Sequence, residues 1–151
     1  MGLWNSSSGC ERKDCSNETH AVNATVAFTH GTLFDSVAYV SCIPGHKIHG
    51  TKGNDNTTTT IRCMKTGTWS GAPVCVRKDC GGNIKTLNAS ITFGDTHYNE
   101  NATVSCDKGY KVIGTFGNNV IEETITCHLN GYWANPSGCV KKGVPSYHQV
   151  Y

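Results

Sequence analysis

Gly67-Thr68-Trp69-Ser70-Gly71-Ala72-Pro73-Val74-Cys75-Val76-Arg77-Lys78-Asp79-Cys80 is the stretch on which the organisation of this chain depends. Its tryptophan stands six residues before a cysteine, and a second cysteine follows after four intervening residues. The same tryptophan-to-cysteine spacing occurs from Trp4 to Cys10 and from Trp133 to Cys139. We interpret the pattern as the joint between repeated modules, because recurrence at a fixed period is typical of repeat proteins.

The remaining cysteines show the period of the repeat. One set lies at positions 15, 42, 63 and 75 and the other at 80, 106, 127 and 139, so the gaps are 27, 21 and 12 residues and then 26, 21 and 12. This agreement predicts two modules, 15–75 and 80–139, with a linker at 76–79 and a C-terminal tail at 140–151. Residues 1–14 are expected to be the tail of an upstream module, or a leader, plus a linker. Cys10 is then left unpaired, or joins a second molecule.

Each module is predicted to be all-β and to depend on disulfides. Nine cysteines in 151 residues and a hydrophobic content of 37% suit two small cross-linked domains better than one large core. Short runs of Val, Ile, Thr and Tyr end at the second and third cysteine of each set, as in 37–40, 57–61, 102–104 and 124–126. No window has helical periodicity. Four cysteines allow three pairings, and the residues alone do not choose between them.

The four cysteines, the tryptophan between the third and fourth, and a glycine-aromatic step at Gly109-Tyr110 resemble the sushi family, also called complement control protein (CCP) modules or short consensus repeats. The resemblance implies two tandem β modules joined end to end, with Trp69 and Trp133 in their cores. It also implies first-to-third and second-to-fourth pairing, namely Cys15–Cys63, Cys42–Cys75, Cys80–Cys127 and Cys106–Cys139. The sequence departs from the family pattern at His46, which stands where the other copy has Tyr110.

Composition also indicates where the protein acts. Six Asn-x-Ser/Thr sequons beside paired cysteines favour a secreted, extracellular glycoprotein; the sequons are at Asn5, Asn17, Asn23, Asn56, Asn88 and Asn101. No apolar run in residues 1–20 predicts a signal peptide, so we expect a mature secreted protein or a fragment of one. No stretch predicts insertion into a membrane. A net charge of +2 without a basic stripe disfavours nucleic-acid binding.

No motif predicts an enzyme, a cofactor or a metal site. The sequence contains no Gly-x-Ser-x-Gly and no His-Glu-x-x-His. His46 and His49 are the closest histidine pair, and a three-residue spacing on a strand directs two side chains to opposite faces. The chain is therefore predicted to be a binding protein.

Three regions are candidates for contact with a partner. Phe116 is an aromatic residue on a polar turn whose counterpart is Lys52, so it is not part of the duplicated core. The linker is the second region, and the C-terminal tail adds one further residue. The candidate side chains are Phe116, Asn118, Lys52, Arg77, Lys78 and Tyr147. The loop before the second strand is the third region, although Phe34 and Tyr98 align with each other there and are expected to pack inward.

The favoured function is immune modulation, in which the protein binds a cytokine or the ectodomain of a cytokine receptor and blocks or modulates signalling. Divergence of this kind resembles that of secreted effectors of parasitic worms. A regulator that binds a complement fragment is the first alternative. The second is a structural spacer or adhesion segment of a larger extracellular protein.

Overall fold

A computed structural model describes residues 9–143. Those residues contain ten β-strands and no helix, which confirms the all-β prediction. They divide into two compact units, one containing most residues up to Val76 and the other most residues from Arg77 onward. Trp4, Asn5 and Tyr147 lie outside the described residues.

The first unit is built on a three-stranded antiparallel sheet with the order β1-β2-β4. A two-stranded sheet pairs β3 with β5. The strands are β1 (Ala24–Ala27), β2 (Val37–Cys42), β3 (His46–Ile48), β4 (Thr58–Arg62) and β5 (Cys75–Arg77). The central strand β2 alternates as a half-buried strand should: Ala38 and Val40 are fully buried, whereas Tyr39 between them is 45% exposed.

The second unit repeats this arrangement. Its sheet has the order β6-β7-β9, and β10 pairs with β8. The strands are β6 (Ala89–Phe93), β7 (Asn101–Cys106), β8 (Tyr110–Val112), β9 (Glu122–Thr126) and β10 (Cys139–Lys141). Ala102 and Val104 of β7 take the buried positions of Ala38 and Val40, so the duplicated residues are those that form the core.

Disulfides join the first to the third and the second to the fourth cysteine of each module. The bonds are Cys15–Cys63, Cys42–Cys75, Cys80–Cys127 and Cys106–Cys139. This is the pairing that the family resemblance implies. They close loops of 33 to 48 residues, and the chain-entropy model gives such a cross-link about 4 kcal/mol of stability.

A tryptophan closes each core. Trp69 is 8% exposed and Trp133 is 9% exposed. Each indole N–H donates to a backbone carbonyl just after the first cysteine of its module, Ser16 O at 2.9 Å and Gly81 O at 2.8 Å. The indole thereby satisfies its own polar group while covering the disulfide end of the core.

One expectation about the core was wrong. Phe34 was expected to pack inward, but it is 37% exposed. Its backbone N–H donates to Lys13 O at 2.7 Å, and Tyr98 N makes the equivalent bond to Lys78 O at 2.8 Å, so this bond fixes the segment in both modules whether or not the ring is buried. Tyr98, its counterpart, is partly buried.

Candidate protein-binding surfaces

The loop of residues 113–121 in the second unit, here called the Phe116 loop, presents a large aromatic side chain to solvent. Phe116 is 91% exposed. The turn around Phe116 is nevertheless fixed by hydrogen bonds, because Lys111 Nζ donates to Thr115 O at 2.8 Å and to Gly117 O. Thr115 Oγ1 donates to Val112 O at 2.6 Å. The ring therefore stands on a fixed turn, which reduces the entropy lost when a partner covers it.

Other apolar side chains of the same loop are also accessible. Ile113 is 49% exposed, Val120 is 42% exposed and Ile121 is 44% exposed. The loop is tied to neighbouring backbone at both ends, since Ile113 N donates to Gly138 O and Cys106 N donates to Ile121 O. Several exposed apolar side chains on one loop mark a candidate protein-binding surface.

Asn118 has a structural task within this loop. Its Nδ2 donates to Gly143 O at 2.8 Å, and Gly143 N donates to its Oδ1 at 3.3 Å. Asn54 makes the same pair of bonds with the backbone of Asp79, at 2.8 and 3.1 Å. Because both modules keep this pair of hydrogen bonds, a structural role explains why an asparagine stands at this position. A contact between Asn118 and a partner stays a prediction.

The linker arginine is engaged by two carboxylates. Arg77 lies 2.9 Å from a Glu100 oxygen and 3.2 Å from an Asp95 oxygen, and it also donates to Tyr98 O at 3.0 Å. The hydrogen bond that Arg77 donates to Glu100 is the main cause that raises the pKa of Arg77 above its ordinary value. Arg77 therefore has less capacity for a new anionic partner than its sequence position suggested.

The other candidates are less constrained. Lys52 is exposed and Lys78 is partly buried. Tyr147 lies outside the described residues. A role of these three side chains in binding stays a prediction.

An aspartate before the first cysteine of each module fixes the segment that enters it. Asp79 accepts a short hydrogen bond from Thr96 Oγ1 and one of 2.8 Å from Gly81 N. These bonds, that from Thr96 first, lower the pKa of Asp79. Asp14 accepts from Thr32 Oγ1 at 2.7 Å and from Ser16 N at 2.9 Å, and its pKa is lowered for the same reasons.

The sequons within the described residues have exposed asparagines, at Asn17, Asn23, Asn56, Asn88 and Asn101. The Asn23 Nδ2 that would carry a glycan nevertheless donates to Cys75 O at 3.2 Å. Asn23 and Asn88 have φ values of 55° and 60°, the left-handed conformation that asparagine tolerates better than most residues. Asn23 and Asn88 directly precede β1 and β6. Asn88 O accepts from the N–H of Asp107, which follows the Cys106 whose N–H donates to Ile121 O at the end of the Phe116 loop.

Cys10 is a free, exposed cysteine. Within residues 9–143, no group of three or more His, Cys, Asp or Glu side chains is arranged to hold a metal ion. In the same part of the chain no helix is long and apolar enough to cross a membrane.

Sequence reasoning missed the environment of Arg77. Its signal was nevertheless present, because Asp95 and Glu100 occupy positions at which the first module has Gly31 and Ser36. Alignment of the two modules shows that these two carboxylates occur in the second module only, next to the linker that contains Arg77.

Repeated β modules, each closed by two disulfides in the same pairing, define a class of disulfide-linked repeat modules. The sequence model of the Sushi repeat (SCR repeat) family matches residues 15–75 and 80–139. The chain belongs to this family.

Several curated proteins are similar to the chain over most of its length. The mouse "Complement decay-accelerating factor, GPI-anchored" is 30% identical over 141 residues, covering 88% of this chain and 33% of that protein. The orangutan (Pongo pygmaeus) "Complement decay-accelerating factor" is 29% identical and covers 84% and 36%. Mouse "P-selectin" is 30% identical and covers 72% and 13%. The chain thus spans about a third of the length of the two complement decay-accelerating factors.

Proposed function

We propose that this chain is a non-enzymatic, extracellular glycoprotein that modulates immune defence by binding an activated complement fragment through the Phe116 loop. The observation that carries the proposal is Phe116 itself, 91% exposed on a turn held by Lys111. The similarity to proteins named complement decay-accelerating factor supports complement as the source of the partner.

Phe116 is the single aromatic anchor of this loop. Complete burial of a phenylalanine side chain contributes about 1.5–3 kcal/mol, which corresponds to about a ten- to a hundredfold change in affinity. Because the turn is already fixed by Lys111 and Thr115, little of that gain is lost to ordering the loop.

The cytokine and cytokine-receptor partners expected from the sequence stay predictions, as does the spacer role. One capture experiment separates them from the complement proposal. The glycosylated protein is immobilised and exposed first to plasma in which complement has been activated and then to solubilised leukocyte membranes. Retained proteins are identified by mass spectrometry.

The matched variants are Phe116→Ala and Tyr132→Ala. Tyr132 is 70% exposed in the same unit but on another loop, so both changes remove an exposed aromatic ring. The proposal expects complement fragments on the wild type and on the Tyr132 variant, and about tenfold less on the Phe116 variant. Retention of a cytokine receptor instead would replace the proposal, and equal capture by both variants would remove the Phe116 loop from it.

A further inference from the structure

We propose that a groove on the first module binds an acidic segment of a partner protein, at a site independent of the Phe116 loop. The groove has a volume of about 340 Å³. Its lining, here called the basic groove, consists of Cys10, Glu11, Arg12, Lys13, Phe34 and Lys65. All six residues belong to the first unit.

The basic groove carries an excess of positive charge. Arg12, Lys13 and Lys65 are exposed cations, whereas Glu11 is the one carboxylate in the lining. Arg12 donates only to a backbone oxygen, Phe34 O, at 3.4 Å. Among residues 9–143, none of the three cations has an ion-pair partner, so their charges are available to a ligand.

Comparison of the two modules shows that this charge is specific to the first. Cys15 N donates to Thr32 O just as Cys80 N donates to Thr96 O, both at 2.8 Å. This match places Arg12 at the position of Arg77.

The two arginines differ in the carboxylates that pair with them. Arg77 is neutralised by Asp95 and Glu100. The first module has Gly31 and Ser36 at those two positions, so Arg12 lacks both carboxylates.

A second difference adds a cation. Met64 N donates to Thr68 O as His128 N donates to Tyr132 O, which places Lys65 at the position of Leu129. Relative to the second module, this groove of the first module has an additional lysine and lacks two carboxylates, and Glu11 stands where the second module has Val76.

Phe34 supplies the apolar part of the basic groove. It is 37% exposed and lines the groove together with three basic side chains, whose aliphatic stems can also cover apolar surface. A peptide that places carboxylates on either side of an aromatic residue fits both features. Arginine binds a carboxylate through two parallel hydrogen bonds, which gives the contact direction as well as strength.

A sulfated polysaccharide fits the basic groove less well. Such chains are retained by extended tracks of cations. This groove has only three basic side chains in its lining, and the carboxylate of Glu11 lies in the same lining. The exposed ring of Phe34 favours a protein segment that offers both carboxylates and an apolar side chain, since Glu11 repels sulfates and carboxylates alike.

The test measures fluorescence anisotropy with the full chain and a fluorescein-labelled peptide, Gly-Asp-Glu-Phe-Glu-Asp-Gly. Its amide counterpart, Gly-Asn-Gln-Phe-Gln-Asn-Gly, has the same shape without the charge. We expect the acidic peptide to bind at least about tenfold more tightly than the amide peptide, and to lose affinity between about 20 and about 300 mM NaCl.

Two charge-reversal variants of equal net charge locate the site. Arg12→Glu/Lys65→Glu changes the basic groove, whereas Lys85→Glu/Lys108→Glu changes exposed lysines of the other unit. The groove variant should bind the acidic peptide about tenfold more weakly, and the control variant should bind like the wild type. Equal loss in both variants, or none in either, would overturn the proposal.

Two further outcomes separate this proposal from its alternatives. Labelled heparin that binds more tightly than the peptide, and only with Arg12 and Lys65 intact, would assign the groove to a polysaccharide and overturn the proposal. Phe116→Ala should leave peptide binding unchanged. A failure of the Phe116 proposal would therefore not be mistaken for a failure of this one.

Discussion

Replacement of Trp133 by phenylalanine removes the hydrogen bond that ties the end of the second module to its beginning. The indole N–H donates to Gly81 O at 2.8 Å, across 52 positions of sequence. The ring is 9% exposed and stacks on Phe93 with 6.1 Å between the ring centroids. Phenylalanine keeps an aromatic ring in this place but has no donor and a smaller volume.

The expected cost has two parts. Loss of the hydrogen bond to the partly buried Gly81 carbonyl costs about 1 kcal/mol. The space left by the smaller ring costs about 1 kcal/mol more, as for a conservative truncation in a core. A total of about 2 kcal/mol corresponds to about a thirtyfold increase in the equilibrium constant for opening of the module.

Native-state hydrogen exchange measured by mass spectrometry is the suitable assay, because it reports opening separately for each segment. Amides of β7 in the second module should exchange about thirtyfold faster in the Trp133→Phe variant. Trp69→Phe should have a comparable effect on β2 in the first module, since Trp69 makes the equivalent bond to Ser16 O.

Tyr132→Phe is the control for the change of an aromatic residue. Tyr132 is 70% exposed, and its side chain has no hydrogen bond among those of the described residues, so exchange in β7 should match that of the wild type. If Trp133→Phe accelerated β7 exchange by less than about threefold, the assigned role of the indole bond would be refuted.

Three further predictions concern single side chains. Asn118→Ala removes both bonds to the backbone of Gly143 and should lower the free energy of unfolding by about 1 kcal/mol, measured by denaturant titration; an unchanged midpoint would contradict this structural role. The pKa of Asp79 is lowered, chiefly by the bond from Thr96, so its stabilisation is present above the unfolded value of about 3.9 and is lost as pH falls through the folded value. The unfolding midpoint should thus decline below about pH 4, and less steeply in Asp79→Asn; equal slopes would count against the prediction. Cys10 is free and exposed, so intact-mass measurement should find one maleimide per native chain, and none if it pairs with a second molecule.

The features shared by both modules were predictable from the sequence. The residues that recur at equivalent positions in the two modules are those that form the core of each. The strand predicted at 102–104 is the centre of β7, and Ala102 and Val104 are buried as the alternation of residues required. The strand predicted at 57–61 is β4, Thr58–Arg62. The disulfide pairing followed from the family resemblance, since spacing alone left three possibilities.

The features that differ between the modules were harder to predict. The alignment of Phe34 with Tyr98 predicts two inward-facing rings, but the shared backbone bond, to Lys13 O or Lys78 O, fixes only the main chain, and the Phe34 ring is exposed. Arg77 was named as a binding residue, but carboxylates from a loop about twenty positions away pair with it. Side-chain partners across loops depend on the path of the backbone, which the local sequence pattern does not specify.

The most direct test of the account is the affinity of the glycosylated chain for purified activated complement fragments on a biosensor. The wild type, Phe116→Ala and Tyr132→Ala are compared at equal surface density. If the Phe116 loop binds complement fragments, the wild type and the Tyr132 variant should bind saturably. The affinity of the Phe116 variant should be lower by a factor of about ten or more. Absence of binding by the wild type, or equal binding by all three proteins, would contradict the account.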